Sequence, residues 1–367
     1  MRMAFLSRAP YVILPSLNLE TYYENDEDNN NVHSNILVLC NNKCYKWNTI
    51  FNSHEGAWCV GSSNNFLIFL DNKGCPFLLN PSSNTFIHVP PFTTSFIQHT
   101  NVPSYFYYVE SLRKTFVSKA VLMSSPSPSQ YTLAIMYDCS CRIAFCSNNA
   151  SWVDLYDAKR FYSDIVFDNN ILYALDEDGS IEGWDFLHQK VPRKILEVNY
   201  PTKDFDKEKD IKFPVDKFST KFYLVISKRD FLLIERFIGN FVQANGEVVY
   251  EGSNLSDEVE ICPYRTKHFN VYKLDLVKRK WEKVKSLDGQ VVFVGANESK
   301  LMDAFKCKNE GNSIYFSDDR WEEMNLDYSY GGHDWGVFNL QDSSVKLLAP
   351  YANKMDPPPI WMVPYSN

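Results

Sequence analysis

One pattern recurs four times in this chain and restricts what it can fold into. An alternating apolar run ends in a short polar turn, and a second run opens with an apolar residue seven positions on. Leu79 is matched in this way with Phe86, Phe145 with Trp152, Leu274 with Trp281 and Phe338 with Val345. The intervening residues are turn formers such as Asn-Pro-Ser-Ser-Asn and Cys-Ser-Asn-Asn-Ala-Ser. Equal spacing between apolar faces is what hairpin register demands, because a slip of one residue turns the apolar set to solvent. The spacing predicts antiparallel sheet built from repeated units.

Extended backward, each hairpin gains two further strands. The first unit runs Trp58 to Val60, Phe66 to Leu70, Phe77 to Leu79 and Phe86 to Val89. The second takes Val117 to Met123, Tyr131 to Tyr137, Ile143 to Phe145 and Trp152 to Leu155. The third takes Ser163 to Phe167, Ile171 to Leu175, Ile181 to Phe186 and Ile195 to Val198. The fourth takes Phe222 to Ile226, Phe231 to Arg236, Phe269 to Leu274 and Trp281 to Val284. The fifth takes Val291 to Val294, Ile314 to Phe316, Trp335 to Phe338 and Val345 to Leu348. Strand signals left at the ends, Tyr11 to Leu14, Ile36 to Cys40, Cys44 to Trp47 and Ile360 to Val363, make a further unit shared by both termini. Repeats of this size point to an all-β propeller. We expect six four-stranded blades, the ring closed by N- and C-terminal strands in one sheet.

Composition agrees. The chain carries 26 Phe, 22 Tyr and 8 Trp, or 15% aromatic residues, which suit a half-buried pleated surface. With only 14 Gly, many turns must use Asn, Asp and Ser instead, as at Asn64-Asn65, Asn148-Asn149 and Asn169-Asn170. The net charge of −8 offers no footprint for a phosphate backbone, so nucleic acid is not an expected partner. No apolar run reaches the roughly 18 residues of a membrane-spanning helix, and a soluble protein is expected. Nine cysteines at irregular spacing form no zinc pattern and read as reduced thiols, which places the chain in the cytosol or nucleus. The start, with Arg2 and Arg8 and no acid before Glu20, adds a weak organelle-targeting character.

Residues 1–10 read as a short lead and 11–367 as a single domain. Within it, 22–34 is an acidic, Asn-rich stretch expected to be a mobile loop, 199–217 a connector, and 239–266 an insert with a strand at Glu247 to Tyr250. The seven His form no metal-ligand pair, and neither a nucleophile elbow nor a phosphate loop occurs, so no cofactor, metal or catalytic residue is expected. Asp176-Glu177-Asp178-Gly179 reads as a hairpin turn. The segment 318–334 carries Trp321, Tyr328 and Tyr330 among acids that include Asp318 and Asp319, without strand alternation. Aromatics on such a loop give large contact area at low entropic cost, which makes these five the candidate partner-binding residues for a target of basic or mixed charge. The alternative is a glycan-cleaving propeller using Asp318, Asp319 or Glu322 as acid and base.

Eight short segments, among them Cys-Val-Gly-Ser-Ser at 59–63, Phe-Leu-Leu-Asn-Pro at 77–81, Leu-Tyr-Ala-Leu-Asp-Glu-Asp-Gly at 172–179, Ile-Tyr-Phe-Ser-Asp-Asp at 314–319 and Pro-Pro-Pro-Ile-Trp at 357–361, follow one another in an order that resembles the plant F-box-associated KIB-type β-propeller family, also called domain of unknown function 295. The resemblance covers about residues 10–365. It implies a non-catalytic propeller that presents a target protein to a ubiquitin ligase. Members commonly carry an N-terminal F-box that docks on a Skp-type adaptor. The ten residues before Tyr11 are too few for that helical module, so adaptor binding is not expected of this chain.

Overall fold

The computed structural model describes residues 10–14, 34–38, 43–47, 56–92, 113–123, 127, 130–156, 158, 161–187, 191–199, 211–227, 230–243, 245–250, 264–275, 277–278, 280–307, 311–320, 331–348 and 357–364. Among them five sheets have four antiparallel strands. Sheet I joins Ile360–Met362, Tyr11–Leu14, Ser34–Val38 and Lys43–Trp47 in that order. Sheet II comprises Trp58–Ser63, Phe66–Leu70, Pro76–Asn80 and Thr85–His88, and sheet III Val117–Leu122, Thr132–Tyr137, Arg142–Ser147 and Val153–Asp154. Sheet IV comprises Tyr162–Asp168, Ile171–Asp176, Ile181–Asp185 and Arg193–Val198, and sheet V Phe218–Ser227, Asp230–Gly239, Arg265–Asp275 and Lys280–Val284. This is an all-β propeller. The two ends of the chain meet in sheet I, where Tyr11 lies opposite Met362 and Ile13 opposite Ile360.

The expectation of six four-stranded blades needs correction, because the regular pattern is met by five. Sheet VI has five strands in the order Ser299–Asp303, Gln290–Val294, Ser313–Phe316, Gly336–Asn339 and Val345–Leu347. After Val294 the chain turns back as Ser299–Asp303 on one side of Gln290–Val294. The following strand therefore starts from the same end and pairs in parallel, Val291 opposite Ser313 and Val294 opposite Phe316. The insert contributes a two-stranded ribbon, Phe241–Val242 with Val248–Val249, close to the expected strand. Residues 22–33 of the acidic stretch and 200–210 of the connector lie outside the described residues.

Turn chemistry follows the sequence. Asn64, Asn65, Asn148, Asn149, Asn169 and Asn170 all have φ between 47° and 66°, the left-handed region that tight hairpin turns require and Asn tolerates. Asp176 accepts from the Asp178 and Ser180 amides at 3.0 and 2.7 Å, so its carboxylate serves the turn. Three of the four hairpin registers stand as read: Leu79 faces Phe86, Leu274 faces Trp281 and Phe338 faces Val345. The fourth is off by one, since Phe145 faces Val153. Trp152 leaves the ladder to reach the neighbouring sheet, donating its indole N–H to the Pro90 carbonyl at 2.9 Å and packing on the Phe92 ring.

Strand alternation explains the core. Tyr11 and Ile13 pack with Leu67, Phe69 and Met362 on one face of sheet I. Val12 and Leu14 pack with Phe293, Trp335 and Trp361 on the other. Each sheet is thus covered on both faces by its neighbours, and inner strands such as Phe66–Leu70 are buried at every position. Fully burying one large apolar side chain contributes about 1.5–3 kcal/mol, so the interfaces carry most of the favourable term.

Candidate site at the axial cavity

The first strands of successive sheets lie side by side. Trp58–Ser63 contacts Val117–Leu122, which contacts Tyr162–Asp168, which contacts Phe218–Ser227, which contacts Ser299–Asp303. Ile360–Met362 lies against Trp58–Ser63. Together they enclose a cavity of about 720 Å³ whose wall includes Trp58, Val117, Ser163, Tyr223, Asn297 and Pro359. One residue from each of these distant segments reaches the same space, which only ring closure achieves.

The closeness of the strands is set locally. A Cβ on Gly61 would stand 2.0 Å from the Ala120 carbonyl oxygen, so the first strands of sheets II and III touch where only glycine fits. Burial next to this point pushes the Cys59 thiol up to about 12, leaving it a small apolar group rather than a nucleophile.

Two buried polar networks form the floor. In the first, Lys119 pairs with Asp164 at 2.5 Å and donates to the Ser299 hydroxyl at 2.9 Å. The Asp164 carboxylate also accepts from Ser299 Oγ at 2.7 Å and from the Ile165 and Leu224 amides at 2.8 and 2.9 Å. Four sheets are tied by one ion pair and one hydroxyl. Glu298 beside them accepts from Ser62 Oγ at 2.8 Å, and burial holds its carboxyl above the usual range.

The second network is centred on Arg236, which is fully buried in the second strand of sheet V. Its guanidinium donates to Thr266 Oγ1 at 2.8 Å, Tyr223 Oη at 3.0 Å, the Ser317 carbonyl at 2.8 Å, Asp319 at 3.1 Å and Asp334 at 2.9 Å. It also stands 4.7 Å over the Phe316 ring, a favourable cation–π placement. Asp318 is buried and enclosed by four donors: the amides of Arg320, Gly332 and Asp334 at 2.9 to 3.0 Å, and the Tyr264 hydroxyl. Desolvation, followed by the charge of Asp334, pushes the Asp318 carboxyl up to about 6. Asp319 borders the cavity and accepts from Tyr223 Oη at 2.6 Å.

Of the residues expected to touch a partner, Asp318 and Asp319 therefore converge on this floor, at the base of the segment that begins there. Trp321, Tyr328 and Tyr330, and Glu322 of the alternative reading, lie outside the described residues. Among the described residues no group of three His, Cys, Asp or Glu is placed to hold a metal, and no helix is long and apolar enough to cross a membrane. The sequence reading missed Lys119, Asp164, Arg236 and Asp334. A signal was present for two of them: Lys119 stands in Val-Ser-Lys-Ala-Val-Leu and Arg236 in Phe-Leu-Leu-Ile-Glu-Arg-Phe-Ile-Gly, charges set within apolar strands. A buried charge must be paired, so such positions mark networks.

Comparison with known proteins places these features. The chain is 25% identical over 274 residues to a putative F-box protein of Arabidopsis thaliana (At5g55150), an overlap that takes in 73% of this chain and 64% of the relative. It is 27% identical over 185 residues to a probable F-box protein of the same plant (At4g22060), covering 50% of this chain and 40% of the relative. The chain thus spans less than two thirds of the length of either. Among solved structures it is similar to the β-propeller domain of Myceliophteria thermophila Cps50 (Swd1), with TM-score 0.35, 14% identity and coverage of 88% and 82% of the two chains. Apo AztD from Citrobacter koseri gives TM-score 0.35 at 9% identity, covering 96% and 98%. The KIB1-4 beta-propeller family model matches residues 37–339, well over half of the chain and most of the sheets described above. This protein belongs to the KIB1-4 β-propeller family.

Proposed function

We propose that this chain is a non-catalytic recognition propeller that holds a target protein at the mouth of its axial cavity, as the target-presenting part of an F-box ubiquitin-ligase receptor would. In this reading the five-stranded sheet VI serves as the sixth blade of the ring. The observation that carries the proposal is the cavity itself, walled by the first strands in a family whose curated relatives are named F-box proteins. Partner contact is assigned to Trp321, Tyr328 and Tyr330 on the segment that starts beside the cavity, with Asp319 at its edge. Asp318 holds the base of that segment to Asp334 instead of meeting the partner.

The state of the carboxylates supports binding over glycan cleavage. Hydrolysis needs two carboxyl groups about 5–10 Å apart and open to a sugar. Asp318 is spent on four internal donors and Asp319 on Arg236 and Tyr223. The expected compartment is the cytosol or nucleus, in keeping with thiols such as Cys59, Cys75 and Cys146 that stand unpaired.

The test is capture of targets from plant extract on the tagged chain after brief chemical cross-linking, with the linked peptides mapped. Cross-links between one target and the axial face, together with no release of reducing sugar from plant glycans, are the expected result. Turnover of a glycan, or cross-links only on the outer edges of the sheets, would overturn it. Recovery of a Skp-type adaptor alongside the target separates ligase assembly from adaptor-free binding.

A further inference from the structure

We infer that the axial cavity is a binding site for a short acidic segment of a partner protein, one carrying carboxylate and apolar side chains together. This deepens the recognition reading above and rests on it. The whole chain has a net charge of −8, so an acidic ligand is not what its overall field invites. The cavity differs from the surface around it, because three of its four acids are held by internal partners while its bases are not all so held.

Of the carboxylates in the wall, Asp164 is held by Lys119, Ser299 and two amides, Asp319 by Arg236 and Tyr223, and Asp318 by its four donors. Glu177, exposed at the rim, is the remaining acid. Of the bases, Lys119 is spent on Asp164. Lys221 lines the wall, half-buried, and forms no ion pair with any described residue. Lys114 stands 5.0 Å over the Trp58 ring, and Arg320 continues the same wall. A ligand entering here meets the cationic groups of Lys114, Lys221 and Arg320, while three of the four wall carboxylates are already hydrogen-bonded within the protein. It does so in a concave space where the field is less screened than on an open face.

The rest of the lining selects for a peptide over a bare ion. Ser163 and Thr220 set hydroxyls on two sheets, able to bond amides or carboxylates. The hydroxyls of Ser140 and Ser219, which donate to Ser118 and Asn240, can still accept from amides, while Trp58 and Phe222 add aromatic surface. The volume of about 720 Å³ falls within the range of roughly 300–1,000 Å³ typical of ligand sites and far exceeds a single oxyanion.

The test is fluorescence anisotropy with the full chain and two labelled probes, Glu-Glu-Phe-Glu-Glu and Lys-Lys-Phe-Lys-Lys. The acidic probe is expected to bind about tenfold or more tighter than the basic one. Its affinity should fall about tenfold in Lys221→Glu, fall less in Lys221→Gln, and stay unchanged in Lys278→Glu on an exposed hairpin far along the chain. Thermal melting of each variant guards against misfolding, and the glutamine variant keeps the test alive if the glutamate one does not fold. Equal binding of both probes, or binding untouched by either Lys221 change, would overturn the inference. So would displacement of the acidic probe by inorganic phosphate at equal concentration, which would assign the site to a small anion. A target protein captured equally well by wild type and Lys221→Gln would leave the recognition role standing and remove only this site.

Discussion

Asn297 grips the backbone of Trp361 at both of its polar atoms: its side-chain oxygen accepts from the Trp361 amide at 3.0 Å and its side-chain nitrogen donates to the Trp361 carbonyl at 2.7 Å. The same side chain reaches Ser62 Oγ at 3.1 Å, and its own carbonyl accepts from the Ser62 amide at 2.8 Å. One asparagine, 1% exposed, thus stands in for a strand between the last segment of the chain and sheet II. Asn297→Ala leaves two buried backbone groups without this partner, at about 1–3 kcal/mol each. The expected outcome is a lower urea midpoint with an unchanged slope. An unaltered midpoint would show that the seam closes without the clasp.

Arg236, in sheet V, compensates Asp319 and Asp334, which lie between two strands of sheet VI. Arg236→Met should cost about 3–5 kcal/mol, because removing one partner of a buried pair leaves the other charge uncompensated. Replacing Asp334 by Asn in the same chain should recover part of that loss, which equilibrium denaturation of the four variants of a double-mutant cycle would measure. Strict additivity of the two changes would argue against a shared network.

Gly61→Ala places a methyl 2.0 Å from a backbone oxygen that has no rotamer to yield. Overpacking of this kind costs about 1–3 kcal/mol. Gly74 has open space around it, but its φ of 77° is the left-handed conformation, so the fitting control is Ala57→Gly, which removes a methyl and leaves both glycines in place. A fall in melting temperature for the first substitution, clearly larger than for the control, is expected by circular dichroism.

His268 packs against Phe213 with ring centroids 5.4 Å apart and meets Phe338 edge-on at 5.3 Å. Desolvation, assisted by the charges of Lys212 and Lys283, pushes it down to about 4 from an ordinary value near 6.5. The unfolded chain therefore binds this proton first. Its stabilising contribution is complete above pH 6.5 and is lost as the pH falls toward 4. His268→Phe removes that dependence, so the variant should gain on the wild type in melting temperature between pH 7 and pH 4.5. Asp318, raised to about 6, acts with the opposite sign: its contribution is present at low pH and lost as the pH rises through 6. Parallel pH curves for wild type and His268→Phe would contradict the assignment.

Much of the ring was legible because its interfaces bury both faces of every inner strand. Apolar runs such as Phe66–Leu70 and Ile171–Asp176, separated by Asn-Asn turns, announce themselves without reference to partners. Ser299–Asp303 did not, since Ser-Lys-Leu-Met-Asp has only two apolar positions and its Ser299 hydroxyl is held by the distant Lys119 and Asp164. The cavity was equally hidden. Its wall draws residues from Trp58 to Ile360, and nothing in their local spacing says they meet. Asp318 and Asp319 were picked out as a pair beside aromatics, yet whether a carboxylate faces water or four donors is decided by residues as distant as Tyr264 and Arg236.

The shared sheet also dictates the order of events during synthesis. Tyr11–Leu14 leaves the ribosome before the strands of sheets II to VI, and its partner Ile360–Met362 after them. Until then one edge of a finished strand has no neighbour, and such edges invite pairing with other chains. The growing polypeptide must therefore carry sheet I unfinished while the other five sheets are made, and a ribosome that stalls before Pro357 releases a chain prone to aggregate.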